Sequence, residues 1–100
     1  MREEANFQSE LIKEIKLRLP GCIVLKNNAG HRQGVPDISV LFGIRYGLLE
    51  CKRSSDAPHR PNQDWYVNHV NSMGGFARFV YPENKEMVLN ELESALRSGG

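Results

Sequence analysis

A five-residue connection, "GIRYG" (43–47), joins two apolar runs, "DISVLF" (37–42) and "LLECK" (48–52). Runs of this length and composition read as strands, and so short a glycine-bounded link folds them back on each other as an antiparallel hairpin. Alternation then sorts the side chains of the second strand. Leu49 and Cys51 share one face, and Leu48, Glu50 and Lys52 share the other. Counted outward from the turn, Asp37 lies at the distance of Glu50 or Lys52, so the three ionisable groups can converge at the open end of the hairpin. Burying such groups without partners is costly, so their convergence demands an explanation.

The remaining elements arrange themselves around this hairpin. A helix is expected from residue 4 to Leu19, ended by "PG", with Phe7, Leu11, Ile12, Ile15 and Leu19 as its apolar stripe. "CIVLKN" reads as a strand, "NAGHRQG" as a polar loop, and "RSSDAPHRP" as a second loop. A helix from about Pro61 to Met73 stops at Gly74-Gly75, "FARFVY" is a fourth strand, and Asn84 caps a last helix with Val88, Leu89, Leu92 and Leu96 inward. The terminal "SGG" (98–100) is expected to be disordered. The order α-β-β-β-α-β-α specifies a mixed sheet flanked by helices in an α/β layer architecture, one domain over residues 1–100.

Two carboxylates at one point suit a hard divalent cation, which takes oxygen ligands and keeps waters or substrate phosphate for the rest. A lysine beside them can stabilise charge developing on a phosphoryl group. The same residues could instead form a salt bridge from Lys52 to Glu50 or Asp37. Helix geometry supplies an independent indication. With the stripe centred near Ile15, Glu4 and Gln8 fall ~20° from its centre, whereas Glu10 and Glu14 fall ~140° and ~100° away and look solvent-directed. Glu4 could equally be a first-turn acid favoured by the helix dipole. Gln63 shares the inner side of its helix with Tyr66, Val67 and Val70, where it can serve a strand-end carbonyl, the lysine or a phosphate.

Bulk properties narrow the class. Net charge is only +1, but residues 26–60 carry six basic against three acidic side chains, and the rest of the chain is net acidic. Phosphate contact is therefore expected from Lys26, His31, Arg32, Arg53, His59 and Arg60. Cys22 and Cys51 form neither a disulfide framework nor a zinc spacing, and both lie in apolar runs. With no apolar segment long enough to span a bilayer and no secretory leader, a reducing, cytoplasmic setting is expected.

"PD" at 36–37 with "ECK" at 50–52 resembles the signature of the PD-(D/E)XK nuclease superfamily, whose core shares this element order. A finer resemblance is to the VRR-NUC (virus-type replication–repair nuclease) domain. It rests on "EANFQ", "LKNNAG", "GVPD", "ECK" and "PNQDWY" in that order, and spans Glu4 to Leu96. The resemblance implies a restriction-endonuclease-like core. It also implies that Asp37, Glu50, the Cys51 backbone carbonyl and Glu4 hold Mg²⁺ (or Mn²⁺), with Gln8 supporting. Lys52 would be the catalytic lysine and Gln63 the motif glutamine beside it. The implied chemistry is hydrolysis of a DNA phosphodiester by metal-activated water.

The small stand-alone versions of this domain, found in phages and prophages, resemble Holliday-junction resolvases and are typically homodimers. They imply a branched-DNA endonuclease acting in replication, recombination or repair inside a bacterial host cell. Larger proteins with this domain add DNA-binding modules and this chain shows none, so its grip would come from the basic segment and a second subunit. Two alternatives share the residues: an enzyme that nicks or processes linear ends, and a non-catalytic DNA-binding subunit that keeps the fold.

Overall fold

A computed structural model of the chain describes residues 2–27 and 33–98, with side chains from residue 5 onward. Helix α1 (Arg2–Arg18) leads into strand β1 (Ile23–Lys26), followed by β2 (Ile38–Phe42) and β3 (Arg45–Cys51). Helix α2 (Pro61–Ser72) crosses over to β4 (Phe76–Val80), and a 3₁₀ turn (Pro82–Asn84) opens into α3 (Lys85–Ser98). The four strands lie in the order β1-β2-β3-β4, with the first two pairings antiparallel and β3 parallel to β4. This is the α/β architecture expected, with its mixed sheet between two helical layers.

The strand alternation divides the core. On one face Ile38, Val40, Leu49, Cys51, Phe76 and Val80 pack with Leu11, Ile15 and Leu19 of α1 and with Val88, Leu89, Leu92 and Leu96 of α3. On the other, Leu48, Ala77 and Phe79 receive Val67 and Val70 of α2. The first face is therefore covered by two helices and the second by one.

Four local expectations require correction. The hairpin connection is only Gly43-Ile44, and β3 begins at Arg45 rather than Leu48. Gly43 has φ +64°, as the first central position of a type II′ turn requires. Gly47, which looked like a turn residue, is a buried strand residue; a Cβ there would come within 2.6 Å of Leu92 Cδ1. Its missing side chain is what lets α3 lie close on the sheet.

Asn84 is not the cap of α3. It ends the 3₁₀ turn, and its side chain reaches backward, accepting the Tyr81 N–H and donating to the Phe79 carbonyl. Glu14 does not point to solvent but pairs with Lys85 of α3, whose ammonium is held above its ordinary pKa by that hydrogen bond. Ser98 is ordered at the end of α3, its hydroxyl donating to the Ser94 carbonyl; Gly99 and Gly100 lie outside the described residues.

Candidate active site

The open end of the β2–β3 hairpin is shaped by backbone bonds before any side chain acts. Register pairs Ile38 with Leu49, so Asp37 falls opposite Glu50. Asn27 clamps the approach to β2: its N–H donates to the Asp37 carbonyl, and its side-chain amide donates to the Pro36 carbonyl and to Ser39 Oγ. The Asp37 carboxylate then accepts the Cys51 N–H through Oδ2 at 2.9 Å. In an extended strand a residue's N–H and C=O point to the same side. The Cys51 carbonyl is thus directed toward the Asp37 edge as well.

One strand over from this edge, Glu50 and Lys52 lie beneath the first turn of α2, and both are buried. Gln63 joins them. Its Nε2 donates to Glu50 Oε2 at 2.9 Å, while its Oε1 accepts Lys52 Nζ at 2.7 Å and the Arg60 N–H at 3.0 Å. Lys52 Nζ also donates to the Pro58 carbonyl at 3.1 Å. The direct Lys52 Nζ–Glu50 Oε2 separation is 4.0 Å, too long for a hydrogen bond. A plain salt bridge is therefore not the main tie between these charges: the neutral Gln63 amide bridges them and fixes both rotamers.

A cavity of about 610 Å³ opens over the cluster, lined by Ala5, Gln8, Asp37, Glu50, Lys52, Pro58, Arg60 and Gln63. Gln8 thus reaches the same space from α1. The Glu4 side chain lies outside the described residues. Glu10 lines a different groove, with Asn6, Phe7, Pro82 and Lys85.

The phosphate-contact candidates divide three ways. Arg60 lines the cavity. Lys26, Arg53 and His59 are exposed but do not line it. His59 is occupied elsewhere, stacked on Phe79 at 4.0 Å between centroids with its Nδ1 3.1 Å from Asp64 Oδ1. His31 and Arg32 lie outside the described residues.

Two contributions were not visible from residue types alone. The Pro58 carbonyl orients Lys52 from a loop whose backbone course no pattern specifies. Gly34, at φ +86°, presses against α2: a Cβ there would stand 2.3 Å from Asn62 Cβ. Only glycine permits that approach, and it locks the loop before Asp37 to the helix that carries Gln63.

The donor set fits a hard cation. Among the described residues no three His, Cys, Asp or Glu side chains cluster as a protein-only cage. Mg²⁺ does not require one, since it is usually held by one or two carboxylates with water and substrate oxygens completing its shell. Asp37 and Glu50 provide two carboxylates at one cavity, and each ionised carboxylate offers about four acceptor sites.

No family model matches the sequence, and no curated protein is detectably similar to it. The fold, in contrast, has a clear counterpart. A solved structure of a VRR_NUC domain superposes with a TM-score of 0.75, covering 88% of this chain and 95% of that one at 18% identity. At such identity the likeness is one of architecture, and the chain has the restriction-endonuclease-like fold of a VRR_NUC domain.

Proposed function

We propose that the chain is a metal-dependent DNA endonuclease of the PD-(D/E)XK type, selective for branched DNA. The observation that carries this reading is the convergence of Asp37, Glu50 and Lys52 in one cavity, with Gln63 bonded to both Glu50 and Lys52. Asp37, Glu50 and the Cys51 carbonyl would hold Mg²⁺ or Mn²⁺, with Glu4 as an outer carboxylate. When bound, the cation would lower the pKa of a water and neutralise charge on a phosphoryl oxygen.

The residues themselves divide the other tasks. Lys52 has three ammonium protons, two of them committed to Pro58 and Gln63. The third can meet the oxygen on which transition-state charge builds. Gln63 holds Lys52 and Glu50 in fixed rotamers, so neither must reorganise during the reaction. Arg60, which lines the cavity, would grip the phosphate backbone without reading sequence, and Lys26, His31, Arg32, Arg53 and His59 are the further candidates for that grip.

The test is cleavage of labelled four-way junction, flap, nicked and linear duplex with Mg²⁺, Mn²⁺ or EDTA. Metal-dependent cutting is expected, fastest on branched DNA. Absence of metal-dependent cutting on every substrate would leave only the non-catalytic binding alternative. Preference for linear ends would favour the end-processing alternative.

A second copy of the chain is the expected protein partner, because cutting two strands of a junction takes two sites. The face of the sheet that α2 leaves uncovered supports this reading. Ile23, Leu25, Leu41 and Tyr46 all point to it and are between 38% and 56% exposed. Contiguous apolar surface of this kind marks interaction sites. Sedimentation is expected to give a dimer for the native chain and a monomer for the Leu25→Asp, Leu41→Asp double variant. A native monomer at micromolar concentration would overturn the dimer. No described helix is long and apolar enough to cross a membrane.

A further inference from the structure

Asp37, Glu50 and Gln63 border two cavities. Besides the one containing Lys52, a second cavity of about 470 Å³ lies toward the β1–β2 loop, lined by Gln33, Gly34, Val35, Asp37, Glu50, Arg60, Pro61, Asn62 and Gln63. Asp37, Glu50, Arg60 and Gln63 line both. A nucleic-acid strand whose phosphate occupies the first cavity therefore places a neighbouring nucleotide at the mouth of the second.

The chemistry of the second cavity differs from that of the first. Lys52 does not reach it, and the charges along its shared wall are the carboxylates of Asp37 and Glu50 beside Arg60. Without Lys52, the one basic side chain lining it among the described residues is Arg60, which the first cavity shares, so it offers a second phosphate no cation of its own. Its remaining walls are Val35 and Pro61, apolar surfaces suited to the face of a planar ring. At its rim stand the amides of Gln33 and Asn62, each presenting a donor and an acceptor, the pairing that Asn and Gln side chains use on base edges. The cavity is also preformed. Gly34 packs the loop directly against Asn62, so the two walls are held at fixed separation.

We propose that this second cavity is a subsite for a single unpaired nucleobase adjacent to the phosphate that is cut. The proposal rests on the nuclease reading and deepens it. A base can enter only when it has left its stack, and doing so costs least where it is already unpaired. Selectivity for branched DNA then has a physical origin in this chain: flap bases are already unpaired beside a cleavable phosphate, and paired bases at a junction centre have lost stacking continuity and leave at lower cost than those of continuous duplex.

The test uses the full chain and a flap substrate in which an abasic tetrahydrofuran replaces each nucleotide flanking the cut in turn. One position is expected to show about a tenfold loss of cleavage, the scale of a lost base-edge contact. Val35→Trp, which fills the cavity, and Asn62→Ala, which removes one amide, are expected to lower cleavage of the intact flap to the abasic level. They should also erase the abasic penalty. Native protein that cuts every abasic substrate as fast as the intact one would overturn the subsite and leave the nuclease reading standing.

A second readout needs no catalysis. With EDTA present, 2-aminopurine at the sensitive position is expected to change fluorescence on binding, and Val35→Trp to abolish the change. Should no DNA be cut at all, the nuclease reading fails and this signal, with 2-aminopurine placed at each nucleotide around the flap junction in turn, alone decides the subsite, its absence at every position overturning it.

Discussion

Asp37→Asn is expected to lower DNA cleavage by about a thousandfold while leaving the melting temperature equal to or slightly above that of the native chain. The substitution keeps the shape of the side chain and an oxygen able to accept the Cys51 N–H, so the strand end stays tied. What it removes is one of the two negative charges that face the same cavity. Like charges held together in the folded state repel, so removing one does not cost stability in metal-free protein. Binding to a labelled junction in EDTA is expected to change little, because the phosphate grip comes from basic residues. Gel shift, thermal melting and cleavage on the same preparation check all three. Retained cleavage would take Asp37 out of the site, and a collapsed melting temperature would assign it a purely structural role.

The hairpin and its charged end were legible in the sequence because both follow from period-2 alternation and counting. Alternation puts Glu50 and Lys52 on one face, but the pairing of Asp37 with Glu50 depends on the two-residue turn, since a five-residue connection would set Asp37 opposite Arg53. The inward side of α1 was legible for a similar reason: ~100° per residue places Gln8 with Ile15, and Gln8 does line the cavity. Glu14 escaped that arithmetic because its partner, Lys85, is 71 residues away and belongs to another helix. Gly47 was misread because a glycine that makes room for Leu92 is locally identical to one that makes a turn. Pro58 and Gly34 were hidden for a deeper reason. A backbone carbonyl acting on Lys52, or a loop seated on Asn62, depends on where the chain runs in space, and residue types do not encode that locally.

Lys52→Met should lower cleavage as severely as Asp37→Asn but, unlike it, should also destabilise the fold. Methionine fills a similar volume, so packing is largely conserved. The loss is electrostatic. Glu50 is only 5% exposed, and removing the ammonium takes from its buried carboxylate a cation 4.0 Å away that the neutral Gln63 amide cannot replace. Breaking a buried pair costs about 3–5 kcal/mol, and the 4.0 Å separation puts this case near the lower end. The Pro58 carbonyl loses the same donor. If Lys52 acts on charge that appears only in the transition state, kcat falls and KM stays near its native value. Gln63→Leu separates position from charge: it keeps Lys52 but frees its rotamer, so cleavage should fall by an intermediate factor. A Lys52→Met variant as stable as the native chain would show that Glu50 does not depend on it. One that cleaves normally would remove the lysine from the chemistry, leaving the row of Asp37, Glu50 and Gln63 to carry the reaction alone.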